Sequence, residues 1–125
     1  LTCGLYRTRG EEVRSIILRR NLKNGMTHSG EVFEDKRVSM MLENIAIALD
    51  LKGCINVQCI LTKTGPCVFE INPRFSSTVR FRHLLGFQDL KWSIQESLGI
   101  ELEIYKKPVP GVKFVREGKE VILQT

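Results

Sequence analysis

Apolar residues recur every three or four positions between Arg37 and Leu49, and this spacing predicts an amphipathic helix. Its apolar stripe consists of Val38, Met41, Leu42, Ile45, Ala48 and Leu49. Asp35 precedes the stripe as a candidate N-cap. Gly53 lies just past its end, where a left-handed residue is common. The pattern therefore places one well-defined helix in the first half of the chain.

Runs rich in β-branched and aliphatic residues lie on both sides of this helix. Before it, Leu1–Arg7 and Ser15–Arg20 flank the polar stretch Thr8–Glu12 and predict a hairpin. After it, Cys54–Thr62 and Pro66–Asn72 predict a second hairpin. The helix is thus expected to connect two antiparallel strand pairs.

The remaining segments give weaker patterns. Asn21–Asp35 contains two glycines and shows neither a helical nor a strand period, so we predict a loop that serves as a connector or a lid. Ser77–Leu85 and Asp89–Leu98 are predicted helices. The apolar face of the second of these consists of Leu90, Ile94 and Leu98. From Glu101 onward the tail alternates apolar and polar residues, with a turn predicted at Arg116–Lys119.

The order of these elements predicts an α+β fold in which helices cover a largely antiparallel sheet. The sequence lacks the βαβα alternation of a doubly wound domain. It also lacks the glycine-rich phosphate loops G-x-G-x-x-G and G-x-x-x-x-G-K-[ST]. We therefore do not expect a Rossmann or P-loop nucleotide site.

Composition is consistent with one globular domain, since 42% of the 125 residues are hydrophobic and 26% are charged. The four cysteines have no C-x-x-C spacing, so we expect small core residues in a reducing compartment rather than a zinc site. There is no signal peptide and no apolar run of the ~18 residues that span a bilayer, so we expect a cytoplasmic protein with no membrane partner. The chain starts at Leu1 inside strand-like sequence, which suggests a piece of a longer protein.

The net charge of +5 favours anionic partners, either nucleotide phosphates or nucleic acid. In a nucleic-acid-binding module, Arg80, Arg82, Lys91 and Lys106 would contact the phosphate backbone. The aromatic residues do not interleave with these basic residues as stacking platforms would. We therefore favour nucleotide phosphates and keep nucleic acid as an alternative.

The second predicted hairpin carries a polar face with unusual chemistry. A three-residue loop centred on Thr64, with Gly65 left-handed, would place Gln58 opposite Glu70 and Asn56 opposite Asn72. The same register pairs Val57 with Ile71, Cys59 with Phe69 and Leu61 with Cys67. A solvated sheet face is the ordinary explanation for such polar residues.

One carboxylate among amide oxygens is also a donor set that suits Mg²⁺, which takes few protein ligands and leaves other positions to water and phosphates. Arg74 follows Asn72 after the rigid Pro73 and could present a planar fork to a phosphate. The hairpin is therefore the candidate site for metal and phosphate binding.

The segments Asn56–Gln58 and Phe69–Ser76 resemble the metal-binding end of the ATP-grasp fold, in particular the synthetase domain of the carbamoyl phosphate synthetase large subunit. Gly25–Glu31 is similar to the loop of that family in which a histidine precedes a hydroxyl, a glycine and an acid. Leu85–Phe87 is similar to its glycine after the helix. The resemblance covers about residues 1–100 and implies the C-terminal half of an ATP-grasp fold. Residues 101–125 resemble no part of that family, and their alternating pattern predicts a β-rich tail on the same domain.

The resemblance implies a role for each matching residue. Glu70 would bridge two Mg²⁺ or Mn²⁺ ions, and Gln58 and Asn72 would each complete one coordination sphere. Arg74 would contact the phosphates of ATP or the phosphorylated intermediate, and Asn56 would lie near the phosphates.

Two further residues are implied near the transferred phosphoryl group, His28 from the polar segment and Arg20 from the strand before it. The implied reaction is ATP-dependent ligation of a carboxylate to an amine or ammonia through an acyl phosphate. In this family an N-terminal subdomain supplies the adenine pocket, and this chain resembles only its C-terminal partner. We therefore expect the chain alone to be inactive, with a non-catalytic ATP-grasp relative as the alternative.

Overall fold

The computed structural model describes residues 1–124, without the side chains of residues 119 and 120. In chain order the elements are β1 (Thr2–Arg7), β2 (Val13–Lys23), β3 (Met26–Phe33), α1 (Lys36–Ala48), β4 (Gly53–Thr62), β5 (Gly65–Asn72), α2 (Val79–Leu84), α3 (Asp89–Ser97), β6 (Lys113–Glu117) and β7 (Lys119–Leu123). The strands form one antiparallel sheet in the order β5-β4-β1-β2-β3-β6-β7. The predicted α+β fold with a helix-covered antiparallel sheet is confirmed.

Helix α1 covers one face of the sheet. Of its predicted apolar stripe, Val38 and Leu42 are buried and Met41 and Ile45 are partly buried, but Ala48 and Leu49 are exposed and Ala46 is buried instead. The cluster beneath it consists of Cys3, Leu5, Ile17, Val38, Leu42, Ala46, Leu51, Ile55, Val57 and Cys59. Asp35 is the N-cap, and its carboxylate accepts from the backbone N–H of Arg37 at 2.8 Å and of Val38 at 3.4 Å. The first left-handed residue after the helix is Asp50 (φ 43°), whereas Gly53 (φ 86°) begins β4.

The second face of the sheet is covered by α2, α3 and the following chain. Its buried cluster consists of Tyr6, Ile16, Leu18, Val32, Phe81, Leu85, Phe87, Trp92 and Phe114. The indole of Trp92 meets the rings of Tyr6, Phe87 and Tyr105 edge-on, with centroids 5.1–5.4 Å apart. This aromatic cluster anchors α3 to the sheet.

The segment predicted as a loop, residues 21–35, is instead largely a strand pair. β2 continues to Lys23, and β3 returns beside it. The turn consists of Asn24 (φ 52°) and Gly25 (φ 75°), the two left-handed residues that a type I′ turn requires. The ladder shifts by one residue between Asn21 and Leu22, which leaves His28 unpaired on β3 as a bulge.

The predicted register of β4 and β5 is correct at its polar end. Gln58 lies opposite Glu70, Asn56 opposite Asn72 and Val57 opposite Ile71. Nearer the turn the prediction is wrong, and the observed pairs are Cys59 with Val68 and Leu61 with Pro66. The connection is a two-residue loop, and Phe69 is an extra bulged residue in β5. A shorter loop and a bulge produce the same register at the polar end as the three-residue loop that we expected.

The second half of the chain departs from prediction in three places. α2 is two residues shorter at its start than predicted. The predicted apolar face of α3 is exposed, with Leu90 at 44%, Ile94 at 55% and Leu98 at 69%, while Asp89 and Trp92 are buried. Residues 101–112 form no strand, although the predicted turn is present with Gly118 at φ 66° between β6 and β7. The division into residues 1–100 and 101–125 stays a prediction.

The cysteines are core residues only in part. Cys3 and Cys59 are buried, Cys54 is half-buried, and Cys67 is exposed because it lies on the outermost strand beside the turn. Among the described helices, none has the length and apolar character needed to cross a bilayer.

Candidate functional site

Asn56 and Gln58 on β4 face Asn72 and Glu70 on β5, and we call these four residues the polar cluster. Side chains alternate along a strand, so the cluster lies on the face opposite α1, which takes Ile55 and Val57. Directly opposite residues on antiparallel strands have Cβ atoms ~5 Å apart. Burial decreases across the cluster, because Asn56 is buried, Gln58 and Asn72 are half-buried and Glu70 is exposed. The cluster is therefore anchored at Asn56 and open at Glu70.

Arg20 reaches the polar cluster from β2. Its Nη2 donates to Oε1 of Gln58 at 2.9 Å, and its Nη1 donates to Oγ1 of Thr27 on β3 at 3.1 Å. Burial lowers the pKa of Arg20, and the nearby carboxylate of Glu70 acts in the opposite direction. The structure thus places this predicted residue beside Gln58, with one cation facing one carboxylate.

Arg82 of α2 is a second arginine at the cluster, and the sequence did not identify it as part of the site. It is fully buried, and its Nη2 donates to Oδ1 of Asn56 at 2.5 Å and to Oγ1 of Thr2 at 3.2 Å. Burial lowers its pKa to about 10, while the carboxylate of Asp89 acts in the opposite direction. Burial raises the pKa of Asp89, and Arg82 opposes that shift. A buried cation therefore lies directly behind the polar cluster.

The position of Arg82 corrects the alternative in which it would contact a nucleic acid backbone, because a buried side chain cannot do so. A signal for its burial is present in the sequence. Thr78, Phe81, Arg82 and Leu85 are all buried and follow helical spacing. The arginine occupies a position in an apolar stripe, where a charged residue needs a polar partner.

Arg74 and His28 are not in contact with the cluster. Arg74 is exposed, and its Nη1 donates to the carbonyl of Phe75 at 3.1 Å rather than to a cluster residue. His28 is the half-buried bulge residue of β3 and directly follows Thr27, the partner of Arg20. The predicted phosphate roles of Arg74 and His28 stay predictions.

The donor set of the cluster fits Mg²⁺ carried by a nucleotide better than a bare ion. Within residues 1–124, the structure contains no group of three or more His, Cys, Asp and Glu side chains arranged for a metal. The cluster offers one carboxylate and amide oxygens, a sparse set that Mg²⁺ accepts when phosphates and water complete its coordination. The Nδ2 atom of Asn72 is buried without a hydrogen-bond partner in the described structure, and a phosphate oxygen would satisfy it.

Solved structures with the same fold cover most of this chain. One is the phosphoribosylaminoimidazole carboxylase ATPase subunit from Aquifex aeolicus, at 17% identity and a TM-score of 0.69. Others are an N5-carboxyaminoimidazole ribonucleotide synthetase in complex with ADP (16%, 0.67) and the N5-carboxyaminoimidazole synthetase from Staphylococcus aureus (13%, 0.65). Each similarity covers 91% of this chain but only 36%, 32% and 33% of the respective structures. The chain therefore spans about a third of their length.

The sequence itself has no match among curated proteins. Residues 3–120 match the sequence model of a family described as "ATP-grasp in the biosynthetic pathway with Ter operon". This match covers nearly the whole chain and confirms the ATP-grasp resemblance, whereas the likeness to carbamoyl phosphate synthetase in particular stays a prediction. The chain belongs to this ATP-grasp family.

Proposed function

We propose that this chain forms the metal- and phosphate-binding half of the active site of an ATP-dependent ligase. The ligase would join a carboxylate to an amine or ammonia through an acyl phosphate. The observation that carries the proposal is the direct pairing of Glu70 with Gln58, with Arg20 bonded to Gln58. Family membership supports it, because the cluster coincides with the segments that resemble the metal-binding end of ATP-grasp proteins.

Glu70, Gln58 and Asn72 would hold Mg²⁺, with Glu70 bridging two ions. When bound, the metal neutralises charge on the β- and γ-phosphates of ATP. Arg20 is held beside the cluster by Gln58 and Thr27 before nucleotide binds. On binding, it would release Oε1 of Gln58 to the metal and donate to a phosphoryl oxygen instead. This arrangement favours transfer of the γ-phosphoryl group to a carboxylate.

Arg74 is exposed beside the cluster and would turn from the Phe75 carbonyl to a phosphate once ATP is present. His28 would reach the same phosphoryl group from the bulge beside Thr27. Both roles derive from the family resemblance, and both need a side-chain movement from the positions seen here.

The residues of this chain do not specify which carboxylate and which amine the ligase would join. The sequence resembles carbamoyl phosphate synthetase, whereas two of the similar structures are N5-carboxyaminoimidazole synthetases at 16% identity or less. Those structures are about three times as long as this chain, so we expect much of the adenine and substrate contact to come from the N-terminal ATP-grasp subdomain. We accordingly expect residues 1–125 alone to show no ATP turnover.

Paramagnetic broadening by Mn²⁺ in the presence of ADP tests the site directly. We expect signals of Gln58, Glu70 and Asn72 to broaden first, and Glu70→Gln to weaken Mn²⁺–ADP binding at least tenfold. Glu31→Gln is the matched control, because Glu31 is a carboxylate on β3 paired with Arg19 rather than with the cluster. Equal broadening in Glu70→Gln and the wild type would refute the metal assignment.

The ligase step is tested in a longer protein that contains this chain. We expect Glu70→Gln to reduce ATP turnover there by ~10²-fold, because charge on the phosphates would lack its metal. Nucleotide binding without turnover by the wild type would favour a non-catalytic relative. ATP turnover by residues 1–125 alone would contradict the half-site proposal.

A further inference from the structure

The amide of Asn56 is held in one orientation by two donors. Arg82 Nη2 donates to its Oδ1 at 2.5 Å, and Thr2 Oγ1 donates to the same atom at 3.1 Å. A guanidinium has donors only, so the atom facing Arg82 must be the oxygen. The amide nitrogen, Nδ2, is therefore the group that Asn56 can offer to a ligand.

The sheet is shaped to admit the arginine at this point. Gly4 lies opposite Asn56 in the β1–β4 ladder. A Cβ on Gly4 would come within 2.7 Å of Phe87 Cε1 and 3.1 Å of Arg82 Nη1. The guanidinium thus occupies space above β1 that a side chain at this position would restrict.

Filling space in the core does not by itself account for this arginine. Burying a guanidinium is costly unless its donors are satisfied, and Arg82 Nε has no hydrogen-bond partner in the described structure. A methionine would fill similar space without that cost. The polar contact that Arg82 makes with the cluster is its bond to Asn56, which points to a role in the site.

We propose that Arg82, assisted by Thr2, is a positioning residue that fixes the Asn56 amide so that Nδ2 donates to a phosphate oxygen and Oδ1 does not ligate metal. The inference rests on the proposed function, since it concerns the same nucleotide site. It makes Asn56 a residue that donates to phosphate without ligating metal, whereas Glu70, Gln58 and Asn72 form the metal-binding set.

The substitution Asn56→Asp distinguishes a phosphate donor from a metal ligand at this position, because the two roles predict opposite changes in MgADP affinity. One carboxylate oxygen would keep the contact with Arg82, while the other would replace Nδ2 with a negative charge. We expect MgADP affinity, measured by calorimetry, to fall at least tenfold. A rise in MgADP affinity would mean that Asn56 is a metal ligand and would overturn the proposal. Asn44→Asp, on the exposed side of α1, controls for the added charge.

Substitutions of Arg82 test the positioning role itself. In Arg82→Met we expect the side-chain amide signals of Asn56 to shift and to show greater mobility by ¹⁵N relaxation, and MgADP affinity to fall about tenfold. Arg82→Lys should restore part of both. Unchanged Asn56 signals in Arg82→Met, or unchanged MgADP affinity, would overturn the proposal even if the melting temperature moved.

Two outcomes distinguish this inference from the proposed function. If Glu70→Gln weakens Mn²⁺–ADP binding while Asn56→Asp does not, the positioning role fails and the ligase proposal stands. If a longer protein that contains this chain does not bind nucleotide, the proposed function fails, and the Asn56 signals in Arg82→Met still decide whether Arg82 orients the amide. Should Arg82→Met not fold, Thr2→Val removes the second donor, and the same shift in the Asn56 signals is expected with smaller amplitude.

Discussion

The Nη2 atom of Arg20 lies 2.9 Å from the Oε1 atom of Gln58, although β1 runs between their two strands. This contact places a positive charge beside an oxygen that we propose binds metal. A bare cation is repelled there, whereas a metal that arrives with anionic phosphates is not. The geometry therefore favours joint binding of metal and nucleotide over binding of the metal alone.

Replacing Arg20 should move two affinities in opposite directions. In Arg20→Gln we expect bare Mn²⁺ affinity to rise about threefold, because a repelling charge is removed. We expect MgADP affinity to fall about tenfold, because a charge that attracts phosphate is lost. Both effects are modest, since Arg20 is partly exposed and solvent screens its charge. Calorimetry of the two titrations gives both values. Arg19→Gln serves as the control, since Arg19 is exposed and pairs with Glu31. A change of the same sign in both titrations would contradict the role of Arg20.

The polar end of the β4–β5 register could be predicted from the sequence because apolar and polar residues alternate in phase on both strands. A one-residue slip of β5 against β4 would place Glu70 on the apolar face and Ile71 on the polar face, so that register is strongly specified. The bulge at Phe69 could not be predicted, because a shorter loop with a bulge satisfies the same polar pairing.

Two other features were missed for different reasons. β3 lies near an end of the sheet where polar side chains occur on both faces, so its period is weak, although Asn24-Gly25 is itself a hairpin signal. Arg82 carries a charge, and a charged residue on a helix is ordinarily solvated. Its helical spacing with Phe81 and Leu85 places it on the buried face, but the polar partners from β1 and β4 that make burial of the charge tolerable are distant in sequence.

Alanine substitutions at Gly30 and Gly4 should destabilise the fold, and the first should do so more than the second. At Gly30 a Cβ would come within 2.3 Å of the Arg19 carbonyl oxygen, a backbone atom that cannot easily move. At Gly4 the closest atom, at 2.7 Å, belongs to the Phe87 side chain. We expect a loss in the free energy of unfolding of ~3 kcal/mol or more for Gly30→Ala and ~1–3 kcal/mol for Gly4→Ala.

Gly10→Ala is the control for both, because the closest atom to its Cβ, Thr8 Oγ1, would lie 3.8 Å away. Its effect should stay within ~0.5 kcal/mol in urea denaturation. A Gly30→Ala variant as stable as Gly10→Ala would contradict the close approach of β2 and β3.

The four thiols should react in order of exposure. We expect iodoacetamide at neutral pH to modify Cys67 first and Cys54 more slowly, since burial raises the pKa of Cys54 to about 11. Cys3 and Cys59 should stay unmodified in the folded chain. Hydrogen bonding with Cys3 lowers the pKa of Cys59 to about 7, but its burial blocks the reagent. Peptide mapping by mass spectrometry gives the order, and early modification of Cys59 would contradict the packing under α1.

The cap of α1 predicts a pH dependence at the acid end. Hydrogen bonding to Arg37 lowers the pKa of Asp35 from 3.8 to about 2, so its ionised form stabilises the folded state above pH 3.8. This contribution is lost as pH falls through 2. Asp35→Asn keeps a cap acceptor but does not titrate. We expect the melting temperature of the wild type to exceed that of the variant at pH 5 and the difference to vanish near pH 2.

The polar cluster joins the outermost strand of the described sheet, β5, to the strand next to it. Outer strands fray on their own, and their backbone amides exchange with solvent without global unfolding. Opening β5 alone would carry Glu70 and Asn72 away from Asn56 and Gln58 and dismantle the site while the rest of the core stays intact. Assembly of the cluster is therefore a local folding event, and a bound metal nucleotide should slow amide exchange along β5 more than along β1.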